Sequence, residues 1–202
     1  MLDTLIEGAT VIDGSGAAPF NADIGIRAGR IVEIGRITTA AHARVDAHGA
    51  WVTPGFIDIH THYDGQATWD PFVTPSSWHG VTTTVFGNCG VGFAPVRPGK
   101  SSYLINLMEG VEDIPGTVLS EGVKFNWESF PDYLDALASM GRAVDVAAQL
   151  PHGALRFYVM GDRGAEHAEI PTGREIEEMA RLTEEALLAG AMGFTTSRTT
   201  KH

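Results

Sequence analysis

Four short apolar runs, each ending in polar residues, limit what this chain can fold into more than any other feature. The first is Phe56-Ile57-Asp58-Ile59-His60-Thr61-His62. The second runs from Thr82 to Phe86 and closes on Gly87-Asn88-Cys89-Gly90. The third runs from Asp145 to Leu150 and closes on Pro151-His152-Gly153, and the fourth from Met192 to Thr196. Helical patterns lie between them. Ser129 to Met140 carries Tyr133, Leu134, Leu137 and Met140 on one stripe, with Gly141 as its stop. Thr172 to Ala189 opens on an S/T-x-x-E capping box, Thr172 with Glu175, and Gly190 stands just past its end. Its apolar stripe reads Ile176, Met179, Thr183, Ala186 and Leu187. Residues 95–124 have weak periodicity and several Gly and Pro, and read as a long loop or a helical insertion over the top of the fold.

Strands that alternate with helices are parallel β/α units, so the expected class is α/β. There are about four units, where a closed (β/α)₈ barrel takes eight in roughly 250 residues. An open, flavodoxin-like sheet of four or five strands is the alternative. The barrel ranks first because the polar residues gather at strand C-terminal ends on one face, where a barrel builds its site. Residues 1–53 differ: they are all β, without a helical period. Leu5-Ile6 and Val11-Ile12 flank an expected turn. Ile24 and Ile26 alternate with polar neighbours, Ala28-Gly29 turns the chain, and Ile31, Val32 and Ile34 form the return strand. Asp46-Ala47-His48-Gly49 is a further turn. The expected boundary therefore separates a small β domain, 1–53, from the first part of a barrel, 54–202.

Charge and composition exclude several classes of partner. The 202 residues carry a formal charge of −11, which opposes phosphate backbones and anionic membrane surfaces, so neither nucleic acid nor a membrane is expected as a partner. No apolar run nears the ~18 residues of a membrane span. Asp3 and Glu7 near the start are unlike the basic opening of a signal peptide. One cysteine forms no internal disulfide, and a cytoplasmic protein is the expectation.

The chemistry gathers at the strand ends. Residues two apart on an extended strand project to one side, so His60 and His62 can reach one ion, with Asp58 on the same face. Cys89 ends the second strand among Gly87, Gly90 and Gly92, which allow close backbone approach. Its thiolate is a strong zinc ligand, and a nucleophile paired with a histidine base is the alternative role. Asp58 and Asp64 are candidates for orienting the imidazoles, Asp64 reading slightly better as a solvated loop carboxylate. His152 reads equally as a substrate contact or a structural histidine. Arg198 and Lys201 read first as solvated cations and second as holders of a substrate carboxylate. The glutamates at 175, 177, 178, 184 and 185 read as an exposed helix face.

Taken together, Thr53-Pro54-Gly55-Phe56-Ile57-Asp58-Ile59-His60-Thr61-His62 resembles the first barrel strand of the amidohydrolase superfamily, which carries a PGFIDxHxH signature. The segment before it, with GATVIDGSG and RIVEIG, is similar to the small β-sandwich of those enzymes. Phe86 to Pro95, with its GNCGxxxAP pattern, resembles the D-aminoacylase branch, in which a cysteine replaces the usual bridging ligand. Pro151-His152-Gly153-Ala154-Leu155-Arg156 and Ala191-Met192-Gly193-Phe194-Thr195-Thr196 are similar to that branch's third and fourth strands. Pro151 stands where the branch has Gly, and the polar run after Thr196 departs from its pattern. The resemblance implies a TIM-barrel hydrolase that uses zinc-activated water on the amide bond of N-acyl-D-amino acids. It implies metal ligation by His60, His62 and Cys89, and later histidines and a general-base aspartate that lie outside this chain. Lys201 and His202 read as mid-domain sequence, so the expectation is a portion of a longer polypeptide whose C-terminal half completes the enzyme. The alternatives are a dihydropyrimidinase-like enzyme of cyclic amides with a carboxylated lysine bridge, and a non-catalytic fragment acting as a structural partner.

Overall fold

A computed structural model describes residues 1–197; Arg198, Lys201 and His202, and the roles considered for them, lie outside the described residues. The chain divides into two compact units, Met1–Gly55 and Phe56–His202.

The first unit is one five-stranded sheet. It comprises β1 (Leu2–Val11), β2 (Phe20–Arg27), β3 (Arg30–Gly35), β4 (Ala41–Asp46) and β5 (Trp51–Val52). The order is β3-β2-β1-β4, with β5 also on β1; β1 runs antiparallel to β2 and parallel to β4 and β5. Leu2, Leu5 and Ile37 form one small core, and Ala9, Val11 and Ile24 another. Ile31, Val32 and Ile34 of β3 stay exposed. Among the described residues, this unit contains no second sheet. The turn expected between Leu5-Ile6 and Val11-Ile12 is absent: β1 is continuous, and the register with β2 shifts between Ile6 and Ala9. The break is a bulge at Gly8, whose φ of 65° suits glycine.

In the second unit, β6 (Phe56–Asp58), β7 (Val81–Phe86) and β8 (Asp145–Ala148) form a parallel sheet in that order. After Gln149 the third strand continues as β9 (Leu150–Pro151), which pairs in parallel with β10 (Phe194–Thr195). The Met192 amide donating to Ala148 O, at 2.9 Å, carries the fourth strand alongside β8 as well. Four parallel strands therefore lie side by side in chain order. A doubly wound sheet reverses its order at a switch point, whereas a (β/α)₈ barrel does not. The sequential order selects the barrel arrangement over the open sheet.

Between β7 and β8 lie α1 (Ser101–Glu112), α2 (Gly116–Gly122) and α3 (Phe130–Ala138). Residues 95–124 are thus mainly a helical insertion. Helix α3 is capped by Ser129 and Asp132, each side chain satisfying the other's amide, and ends at Ser139 before reaching Gly141. Helix α4 (His152–Met160), not anticipated by the sequence reading, starts directly on the end of β9. Helix α5 (Gly173–Ala189) keeps the Thr172–Glu175 capping box and the left-handed Gly190. Its buried stripe is rotated from the expected one: Met179, Leu182 and Ala186 meet the core, while Ile176 and Leu187 are exposed. Of the glutamates on α5, Glu175 pairs with Arg163 while Glu178 and Glu185 pair with Arg181.

The core of this unit joins Phe86, Phe93, Leu104, Met108, Tyr133, Leu150 and Leu155. Each large apolar side chain so buried stabilises the fold by roughly 1.5–3 kcal/mol relative to exposure. The polar tips of two buried aromatic side chains are satisfied: Trp127 Nε1 donates to Phe93 O at 2.9 Å and the Tyr133 hydroxyl to Asp64 O at 2.7 Å. The first strand is the exception to this burial. Its ladder covers only Phe56–Asp58, and Phe56, Ile57 and Ile59 are exposed. Two short 3₁₀ turns, Gln66–Thr68 and Ser76–His79, follow it where a full helix would cover the strand.

Candidate metal centre

The turn after β7 is built by the absence of a side chain. Gly87 has φ 79°, and a Cβ there would lie 2.1 Å from the carbonyl oxygen of Gln149 on the neighbouring strand. No other residue allows that approach. The buried Asn88 then ties three strands together. Its Nδ2 donates to Thr61 O at 3.2 Å and Val85 O at 3.0 Å, while its Oδ1 accepts from Gln149 Nε2 at 2.8 Å. Cys89 follows with φ 57°, a left-handed conformation uncommon outside glycine. The Gly90 amide donates to Thr195 Oγ1 at 3.3 Å, and that hydroxyl donates to Gly87 O, so the fourth strand braces the same turn.

This bracing sets Cys89 Sγ 3.2 Å from His60 Nε2. His60 is reached by a bend: Asp58 Oδ1 accepts the His60 amide at 3.3 Å, and the chain leaves the ladder after Asp58. Pairing resumes at the buried Thr61, whose amide and hydroxyl both donate to Val85 O, at 3.0 and 2.8 Å. The two-residue alternation expected through His62 is therefore interrupted. The two rings still meet, 5.6 Å apart at 62°. One donor atom each from His60, His62 and Cys89 lie within 4.8 Å of one another.

Asp64 is the clearest departure from expectation. It is 2% exposed, not a solvated loop carboxylate. Gly92 makes the space, since a Cβ there would stand 2.7 Å from Asp64 Oδ1. Burial pushes the Asp64 pKa up to about 8, against the backbone amides of Asp64 and Gly87 and with help from the nearby Glu112 charge. One of its carboxylate oxygens has no hydrogen-bond partner among the described residues. Burial also raises the Cys89 thiol, followed by the charges of Glu112 and Asp64.

His152, the first residue of α4, lies outside the three-donor group. Its Nδ1 is 3.3 Å from Thr196 Oγ1 and its ring meets Phe194 edge-on. Burial, then Arg156, lowers its pKa. Sequence reasoning missed Glu112, whose Oε1 is 3.2 Å from His62 Nε2, because the aperiodic stretch before it gave no sign of where α1 would end. It also missed Asn88, which the compact GNCG motif had in plain view.

The donor chemistry fits zinc. Two imidazoles and a thiolate are typical zinc ligands, and bonds of about 2.0–2.3 Å in tetrahedral array place donors roughly 3.3–3.8 Å apart. The His60–Cys89 separation, 3.2 Å, lies just below that range. A divalent cation would also offset the excess of carboxylates and favour the thiolate.

Comparison with known proteins identifies the family. The amidohydrolase family profile matches residues 43–202. D-aminoacylase of Alcaligenes xylosoxydans xylosoxydans is 41% identical over 195 residues, which cover 96% of this chain and 37% of the relative. A D-aminoacylase structure described by its binuclear metal centre superposes with a TM-score of 0.79 and 37% identity, covering 97% of this chain and 38% of that one. N-acyl-D-glutamate deacylase from Bordetella bronchiseptica, complexed with zinc and a phosphonate inhibitor that mimics the tetrahedral intermediate, gives 0.80 and 36%, covering 96% and 38%. The chain thus spans under two fifths of the length of these relatives. It belongs to the amidohydrolase family, with its similarity directed to the D-aminoacylases.

Proposed function

We propose that His60, His62 and Cys89 hold zinc, and that the polypeptide to which this chain contributes hydrolyses the amide bond of N-acyl-D-amino acids. The convergence of the three donors at the ends of the first two barrel strands carries the reading. The relatives' names supply the substrate class: D-aminoacylase, and a deacylase solved with zinc and a mimic of a tetrahedral intermediate.

Zinc held there supplies a Lewis acid for the amide carbonyl and lowers the pKa of water. This chain's residues contribute the placement. The Asn88 hydrogen bonds and the Gly87 turn fix Cys89, and Asp58 fixes the bend that presents His60. The general base and further metal ligands belong to strands beyond the fourth, in the C-terminal half of the same polypeptide. The apolar edges at Phe56, Ile57 and Ile59 and at Leu188 and Phe194 suit packing by further β/α units. Among the described residues no helix is long and apolar enough to cross a membrane. A lone thiolate ligand suits a reducing compartment, and we place the protein in the cytoplasm.

The test is zinc content and hydrolysis of N-acetyl-D-methionine against N-acetyl-L-methionine by the full-length polypeptide, with Cys89→Ser beside it. Stoichiometric zinc, D-selective hydrolysis and loss of both in the variant are expected. Zinc content unchanged in Cys89→Ser would overturn the ligand assignment, and hydrolysis of cyclic amides alone would overturn the substrate class.

A further inference from the structure

The turn that carries Cys89 leans across the end of the third strand and reaches the fourth. Bare glycines allow it. A Cβ at Gly87 would meet Gln149 O at 2.1 Å, one at Gly153 would meet Gly90 O at 2.8 Å, and one at Gly90 would meet the Cα of Thr196 at 3.2 Å. On the fourth strand Thr195 pairs in parallel with Pro151. Its hydroxyl crosses back to the turn, accepting from the Gly90 amide at 3.3 Å and donating to Gly87 O. Those two groups, three residues apart, are the donor and acceptor that open the 3₁₀ turn Asn88–Gly90. One hydroxyl therefore holds both ends of the segment that contains Cys89.

Cys89 needs holding. It sits at φ 57° and ψ 12° inside that turn, a left-handed conformation disfavoured for any residue with a Cβ. A return to right-handed backbone would redirect its side chain, which now places Sγ 3.2 Å from His60 Nε2. Asn88 ties the turn to the first and third strands, and Thr195 is its tie to the fourth. A hydroxyl donates and accepts at once, so it can bridge an amide and a carbonyl; a valine of the same shape can do neither. We propose that Thr195 is a positioning residue of the metal centre, its hydroxyl latching the Gly87–Gly90 turn so that the Cys89 thiolate stays directed at the ion. The proposal rests on the reading that Cys89 is a metal ligand. It makes metal retention depend on the fourth strand, which itself contributes no ligand.

The experiment titrates the full-length polypeptide with Cd²⁺ and follows the thiolate charge-transfer absorption, assigned to Cys89 by its loss in Cys89→Ser. Wild type is compared with Thr195→Val, Thr195→Ser and Thr196→Val, the last removing a neighbouring hydroxyl that meets His152. Thr195→Ala takes the place of valine if that variant does not fold. Thr195→Val should weaken Cd²⁺ binding about 10- to 100-fold and speed its loss to a chelator. Thr195→Ser, which restores the hydroxyl, and Thr196→Val should bind like wild type. Wild-type affinity in Thr195→Val or its alanine substitute overturns the proposal. So does a loss in Thr195→Ser or Thr196→Val equal to that in Thr195→Val, because the effect would then not belong to the Thr195 hydroxyl. If wild type itself shows no Cys89 band, the metal reading fails instead, so the two failures are distinguishable.

Discussion

In the N-terminal unit, five of the six glycines at positive φ stand in open space: a Cβ added at Gly8, Gly16, Gly29, Gly35 or Gly49 would meet nothing within 4 Å, and at Gly14 it would only touch Pro54, at 3.4 Å. At the ends of the parallel strands the surroundings are the reverse. A Cβ at Gly87 would fall 2.1 Å from Gln149 O, at Gly153 2.8 Å from Gly90 O, and at Gly92 2.7 Å from Asp64 Oδ1. Apart from Gly25, where a Cβ would press on Leu2 at 2.9 Å, this unit uses glycine for its dihedral angles, and at a left-handed position such as Gly8 asparagine adopts them at modest cost. The strand ends use it for its missing side chain, for which nothing substitutes. That compaction brings the turn carrying Cys89 against the strand carrying His60.

The largest effect that tests this contrast is Gly87→Ala. Its clash is with backbone, which cannot swing aside, and its φ of 79° disfavours any Cβ. Overpacking and the left-handed penalty together put the loss at roughly 2–5 kcal/mol. Denaturant unfolding measures it. A loss no larger than that from Gly8→Ala would erase the distinction between the two kinds of turn.

Asn88 ranks next, because the packed turn depends on its amide as well as on space. Asn88→Ala leaves the Thr61 carbonyl and the Gln149 amide without these partners in a buried setting, a loss of about 2–3 kcal/mol. Asn88→Asp is expected to be worse than alanine. A carboxylate accepts but does not donate, so it would confront the carbonyls of Thr61 and Val85. The order of the two variants, read by urea midpoints, separates loss of a donor from loss of volume.

The sequence exposes these features unevenly, for physical reasons. The second and third strands are legible because their apolar runs end in Gly87 and Pro151, the fourth as a short run just after Gly190, and α5 because Thr172 and Glu175 cap it reciprocally. Gly8 misleads: a glycine amid apolar residues reads as a turn, but pairing with β2 before and after it, with β4 before it and with β5 after it, carries β1 through. Ile176 and Leu187 mislead because periodicity gives a stripe's width but not which edge meets the core. Asp64 reads as a loop residue, since its burial comes from Tyr133 and Gly92, which are distant in sequence. His60 and His62 are legible as a pair, although the chain bends between Asp58 and Thr61 and strand alternation alone does not bring them together. Glu112 lies beyond local reading altogether, because its contact with His62 depends on where a weakly periodic helix stops.

A third kind of turn sharpens the comparison. Val73 is fully buried at φ 49° without being glycine, and Asp70 holds the loop around it. Asp70 Oδ2 accepts from the Thr74 amide at 2.8 Å, Thr74 Oγ1 at 3.0 Å and Gln66 Nε2 at 2.9 Å, and Oδ1 accepts from the Phe72 amide at 2.9 Å. Burial raises the Asp70 pKa, but these hydrogen bonds together outweigh it and bring the group to about 2. With the folded pKa below the unfolded one, the stabilisation is complete above about pH 4 and is lost as pH falls through about 2. Discounted for solvent screening, it amounts to about 1–2 kcal/mol. Asp70→Asn should lose that amount at neutral pH, and its unfolding curve should converge on wild type in acid. A constant gap down to about pH 2 would show that the charge is not what holds the turn.

The smallest effect belongs to the open glycines. Gly8→Ala meets no atom, so the left-handed penalty of about 1 kcal/mol is its only expected cost. Gly8→Asn should cost less, since asparagine tolerates that conformation. The Gly8 amide donates to Asp23 Oδ1 at 2.9 Å, and its carbonyl accepts from the Gly49 amide at 2.9 Å; both bonds survive either substitution. Thermal midpoints for Ala and Asn at position 8 should therefore rank by dihedral preference alone. At position 87 the larger asparagine should be at least as damaging as alanine. A reversal of rank between the two positions is the signature of a turn chosen for its angle and one chosen for its emptiness. The same rank at both would mean that dihedral preference governs the strand-end turn too.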